Sequence, residues 1–187
     1  MLILLVLTTL SNAFSVNEKM QNTDPIFYVP FDGNIYPTVY GCPGTPQDQV
    51  GETADVDVFV EGIKGLALRV KKVGGDTMVK YWESSGGYYN LYPPQGTIEF
   101  WVRLQWDIEN DWMKEGDLFV ESGAYGSGPG IIIYVPGRQL YAGVTYLDQN
   151  NDPYWMSASP GIGWWNKGEW HQVVFTWKEY DKATVYI

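Results

Sequence analysis

Polar and apolar residues alternate most regularly over residues 97–104, where Ile98, Phe100, Val102 and Leu104 share one side of an extended chain and Thr97, Glu99, Trp101 and Arg103 share the other. This pattern predicts a strand whose first set faces the core. The same period of two recurs in Leu66, Leu68 and Val70 against Ala67, Arg69 and Lys71, and again in Leu140, Ala142 and Val144. Shorter runs predict strands over residues 26–29, 77–82, 118–121, 131–135, 154–159, 170–178 and 183–187. Between them stand breakers such as Gly74-Gly75-Asp76, Ser84-Ser85-Gly86-Gly87 and Tyr92-Pro93-Pro94, with Pro136-Gly137-Arg138 placed as a hairpin turn. Residues 33–57 are rich in Gly, Pro, Thr and acidic side chains and read as long loops between short strands. Without an amphipathic helical stretch of useful length or an internal repeat, the expected class is all-β, an antiparallel meander closing into a sandwich or barrel.

The chain has 187 residues, 45% of them hydrophobic and 18% charged, which suits one globular domain and excludes disorder. Its amino terminus divides it further. The apolar run over residues 2–10 is too short to span a bilayer, and Ser11-Asn12-Ala13 supplies the small residues of a cleavage site. Residues 1–13 are therefore expected to be a signal peptide, 14–24 a polar leader and 25–187 the folded domain, secreted or displayed at the cell surface with no transmembrane segment in the mature chain. A net charge of −10 opposes nucleic acid as a partner, since each phosphate contact needs Lys or Arg. Cys42 is the only cysteine, so no intrachain disulfide forms, and with no His nearby it reads as an inert loop thiol.

Three ordered segments carry a resemblance: Gly96-Thr97-Ile98-Glu99-Phe100-Trp101-Val102; Leu118-Phe119 leading through a Gly-rich turn to Ile131-Ile132-Ile133-Tyr134; and Gly168-Glu169-Trp170-His171-Gln172-Val173-Val174-Phe175-Thr176-Trp177. With the earlier Phe31-Asp32-Gly33, they resemble the laminin-G-like jelly-roll group of the concanavalin-A-like lectin and glucanase superfamily. The resemblance implies a two-sheet antiparallel jelly-roll sandwich over most of residues 26–187. It also implies incompleteness at the carboxyl terminus, because members follow the last strand seen here with an Asp-Gly turn and further strands. A fragment of a longer polypeptide is the resulting expectation.

The chemistry in the sequence favours binding over catalysis. Glucanases of the superfamily use a Glu-x-Asp-x-x-Glu strand, and no such motif occurs; Glu99 has Trp101 and Arg103 for same-face neighbours, and Glu115, Asp117 and Glu121 read as a loop and strand edge. His171 stands alone and reads as structural. Nine Trp and 14 Tyr offer rings for stacking on sugar C–H faces. The ligand-binding candidates are Tyr125, Tyr154, Trp155, Trp164 and Trp165, with Trp112 another loop ring, whereas Trp101, Trp170 and Trp177 lie in strands and read as packing residues. Calcium takes roughly six to eight oxygen ligands. Its candidates are Asp32, where the resemblance and the chemistry coincide, and Asp148 and Asp152, which lie with Asn150 and Asn151 in a polar loop; turn formation explains the same residues without metal. The expected function is an extracellular recognition or adhesion module binding glycan or a surface protein. The alternatives are part of a secreted carbohydrate-active enzyme, or an architectural spacer.

Overall fold

The computed structural model describes residues 2–6, 25, 27–54, 56–70, 78–82, 84–92, 94–105, 117–123 and 130–187. Its first seven strands are β1 (Leu2–Val6), β2 (Val50–Ala54), β3 (Val56–Glu61), β4 (Leu66–Val70), β5 (Met78–Tyr81), β6 (Ser84–Ser85) and β7 (Tyr88–Tyr89). The remainder are β8 (Gln95–Arg103), β9 (Asp117–Gly123), β10 (Gly130–Val135), β11 (Tyr141–Leu147), β12 (Pro153–Ala158), β13 (Trp170–Lys178) and β14 (Lys182–Tyr186). A six-stranded antiparallel sheet has the order β14-β13-β8-β1-β4-β3, and a four-stranded one the order β12-β11-β10-β9. The small pairs β2-β5 and β6-β7 stand apart from these. The described chain is thus all-β, with one 3-10 turn at Gln47–Gln49 and no helix long and apolar enough to cross a membrane.

The longest ladder joins β8 to β13, from Trp170 opposite Arg103 to Lys178 opposite Gln95. Because side chains alternate along both strands, Ile98, Phe100 and Val102 fall in one row with Val173, Phe175 and Trp177, and all six are buried. In the other large sheet Ile131, Ile133 and Val135 of β10 and Ala142 and Val144 of β11 are also buried, and the two sets belong to one hydrophobic cluster. Full burial of a side chain such as Phe100 or Phe175 stabilises the fold by about 1.5–3 kcal/mol. Gly96 is required where the ladder meets the largest of these rings: a Cβ at that position would lie 2.7 Å from the Trp177 indole.

Several expectations are met and several are not. The alternation at 97–104 is the pattern of β8 extended by buried Leu104, and the predicted hairpin at Pro136-Gly137-Arg138 joins β10 to β11. The stretch read as long loops between short strands holds β2 and the start of β3; by contrast, of the strand expected over 26–29, residue 26 lies outside the described residues and residues 27–29 contribute only an isolated bridge, Tyr28 with Val39, while burying Phe27 and Val29. In β4 the buried residues are the neighbours Ala67 and Leu68, with Leu66 37% exposed, so strict alternation does not hold there. From the apolar run at the amino terminus, Leu2–Val6 forms the strand between β8 and β4.

A buried polar knot ties the loop before β2 to the β6-β7 hairpin. The Asn90 side-chain amide donates to Gln49 Oε1 at 3.0 Å and to the Trp82 carbonyl at 2.7 Å, while its Oδ1 accepts from the backbone N–H groups of Gly41 and Cys42. Gln49 Nε2 in turn lies 3.2 Å from the Pro43 carbonyl. Buried polar groups cost most when one partner is deleted and the others are stranded. Asn90→Ala is accordingly expected to lower the unfolding free energy by about 3 kcal/mol in a urea titration, a larger loss than truncation of an exposed side chain such as Gln139→Ala.

Candidate functional site

The turn segment between β12 and β13 is built by anchoring. Leu140 N–H donates to the Pro160 carbonyl at 3.0 Å and Ile162 N–H to the Arg138 carbonyl at 2.8 Å, stitching the segment to the β10-β11 turn. Ile162 is fully buried, and Trp165 N–H closes a turn on its carbonyl at 2.9 Å. Two consecutive indoles are thereby sent opposite ways: Trp165 is 3% exposed and Trp164 58% exposed. Gly168, at φ +82°, donates its N–H to the Leu104 carbonyl and turns the chain into β13.

His171 continues the core row of β13 to the strand's beginning, where Trp165 covers it. The two rings are parallel within 2° with centroids 4.2 Å apart, and Trp164 meets the edge of this stack, 5.2 Å from His171 and 6.1 Å from Trp165. Both His171 Nε2 and Trp165 Nε1 are buried without a hydrogen-bond partner. Glu169 lies 3.9 Å from His171 Nε2 but is half exposed, and it accepts a hydrogen bond from the Asn166 side-chain amide at 3.0 Å. Burial pulls the His171 pKa below the ordinary imidazole value, with the Glu169 charge opposing it only in part. The resulting surface presents an open indole, an amide held against a carboxylate, and the exposed Arg138 beside Gly163.

The residues expected from sequence are not gathered in one place. Trp164 stands on the surface just described, whereas Trp165 is a buried wall of it and offers no free face. Tyr154 and Trp155 belong to β12, the edge strand of the four-stranded sheet, and as strand neighbours they project to opposite faces. Both are exposed, and Tyr154 packs against Tyr180 with centroids 5.8 Å apart. Tyr125 and Trp112 lie outside the described residues. Asn166, Glu169 and Arg138 were not singled out from sequence, although Asn166 and Glu169 flank the Trp-Trp pair closely enough to have signalled it.

Of the acidic candidates, Asp148 and Asp32 hold turns with their side chains, and Asp152 takes part in the first of these through its backbone. Asp148 Oδ1 accepts from the Asn150 and Asp152 N–H groups at 2.7 and 2.9 Å, which favours the turn explanation of this loop. Asp32 Oδ1 accepts from Leu66 N–H at 3.1 Å, clamping the β3-β4 connection at Gly65, where φ is +68° and a Cβ would lie 2.9 Å from the carboxylate. Among the described residues no group of three or more His, Cys, Asp or Glu side chains is arranged to hold a metal. Glu99 accepts a hydrogen bond from the Gln172 amide across the β8-β13 ladder. An open cavity of about 360 Å³ lies elsewhere, lined by Cys42, Pro43, Asp48, Gln49, Trp82, Ser84 and Ser85, above the Asn90 knot. Compared with family models, characterised proteins and solved structures, the chain matches none.

Two outcomes follow from this geometry. A His171 pKa lowered by folding means that the unfolded chain binds more protons as pH falls through the imidazole range, so the stabilisation present above about pH 6.5 is lost on acidification. The melting temperature is expected to fall between pH 7.5 and 5, and to fall less in His171→Phe, which keeps a ring on Trp165 but does not titrate. Asp148→Ala is expected to cost about 1 kcal/mol, as a lost turn acceptor does, with or without calcium; a loss seen only in calcium-containing buffer would assign the carboxylate to a metal instead.

Proposed function

We propose that this chain is an extracellular recognition module that binds glycan through the turn over residues 160–169, on a two-sheet jelly-roll sandwich of the laminin-G-like kind. The observation that carries the reading is the exposed Trp164 ring on the same turn as the Asn166–Glu169 pair. Sugars bind by laying an apolar C–H face on an aromatic ring while their hydroxyls meet directional donors and acceptors. Here the ring is braced edge-on against the His171–Trp165 stack, which limits the rotamer freedom lost on binding. The amide and carboxylate already hold one another, so a hydroxyl meets a preset donor and acceptor. Two antiparallel sheets sharing one hydrophobic cluster support the sandwich reading, and the two ends of the turn are fixed by that same core.

Glycan-array screening of the chain is expected to give a defined set of binders whose signal falls at least tenfold in Trp164→Ala, in keeping with a stacking contact of about 1.4 kcal/mol or more. Trp155→Ala, on a different surface, should leave the signal within a factor of two or so if the site is confined to this turn. A blank array would favour a protein ligand over a glycan, and equal loss with either substitution would overturn the confinement of the glycan site to this turn.

A further inference from the structure

The six-stranded sheet has one position whose occupant is separable from the rest. β1 is antiparallel to both of its neighbours, with Leu2 to Val6 pairing Arg103 to Glu99 of β8 on one side and Leu2 and Ile3 pairing Arg69 and Leu68 of β4 on the other. β4 and β8 are therefore parallel to each other and stand two strand spacings apart, about 9–10 Å. β8 is held by β13 on its far edge and β4 by β3, so each flank is fixed independently of β1. An empty position would leave two facing rows of backbone N–H and C=O groups unpaired, next to the buried side chains of Phe100, Val102 and Leu68. Processing after Ala13, which the amino-terminal sequence suggests, would sever Leu2–Val6 from the domain and open this position.

We infer that the position between β4 and β8 is a strand-accepting slot whose occupant is an extended, alternately apolar peptide with a carboxylate at the register position of Leu2, a place that Leu2–Val6 fills in cis. Register defines the requirement. The positions paired with Val102 and Phe100 lie opposite buried residues and ask for apolar side chains, as Ile3 and Leu5 are. The first position is paired with Arg103 on one side and Arg69 on the other, two basic residues across a single strand. Arg103 packs its guanidinium over Trp170 at 5.0 Å, and its Nε is buried without a hydrogen-bond partner. A carboxylate at this position gives the Arg103 guanidinium a charge-assisted hydrogen bond that a leucine cannot supply. Backbone pairing on both edges supplies affinity and the alternating pockets supply selectivity, as in other cases of strand addition.

The test uses the whole chain with a protease site introduced within residues 14–23, folded intact and then nicked. Peptides of residues 1–8 with a two-lysine solubility tail are present in excess during nicking, one carrying a fluorophore. The labelled native peptide is expected to co-elute with the protein on gel filtration and to hold the melting temperature at the intact value. A Leu4→Pro peptide, which loses a ladder N–H, should neither co-elute nor protect. A Leu2→Glu peptide should compete at several-fold lower concentration than Leu2→Lys. If the amino-terminal peptide departs with no fall in melting temperature, or if Leu4→Pro competes as well as the native peptide, the slot is refuted. Equal competition by Leu2→Glu and Leu2→Lys would overturn the carboxylate preference.

Discussion

The ladder between β8 and β13 is the constraint from which the rest of the structure follows. Nine consecutive register pairs hold two long strands so that one face of each delivers a continuous apolar row. Buried residues of β10 and β11 join the same hydrophobic cluster as these rows, and β14 folds back onto the free edge of β13. The same ladder sets the start of β13, and so the place where His171 meets Trp165. A change that shifted the register by one residue would turn Val173, Phe175 and Trp177 outward and bring Gln172 and Thr176 into the core.

The candidate binding surface is an extension of that core. Its imidazole continues the row of Val173 and Phe175 and its buried indole, Trp165, belongs to the same hydrophobic cluster, while its polar members, Asn166 and Glu169, hydrogen-bond across the turn that enters the strand. Rigidity and recognition are therefore coupled: the buried indole keeps the neighbouring one exposed, because adjacent residues in this turn cannot both face inward. His171 illustrates the coupling. Its ring serves packing, yet its low proton affinity comes from the burial that packing imposes.

What could be read along the chain depended on where the stabilising contacts are made. β8, β10 and β13 announce themselves because each is half buried, and a buried face writes a period of two into the residues. β2 does not, because Val50-Gly51-Glu52-Thr53-Ala54 has little apolar content and becomes a strand by pairing with β5, a partner more than twenty residues away. The two tryptophans at 164 and 165 are indistinguishable by type; their opposite fates depend on the anchoring of Ile162 by the Arg138 carbonyl, which arrives from elsewhere in the chain. Likewise the parallel stack of Trp165 on His171 joins residues on either side of a glycine turn, a juxtaposition that periodicity does not encode. The acidic loop residues were legible as turn formers because Asp acts there through its immediate neighbours' N–H groups.

Cys42 gives the molecule a built-in gauge of its own local opening. It is the sole thiol, 3% exposed, with Sγ set 3.5 Å from the Tyr88 carbonyl where the Asn90 knot joins the loop over residues 41–49 to the β6-β7 hairpin. Burial pushes its pKa up, so the closed state carries almost no thiolate, the form that attacks a labelling reagent. Reaction with such a reagent must wait for the loop over residues 41–49 to part from the β6-β7 hairpin. The pace of that one chemical step thus reads how often this corner of the domain breathes, separately from the unfolding of the β8-β13 ladder.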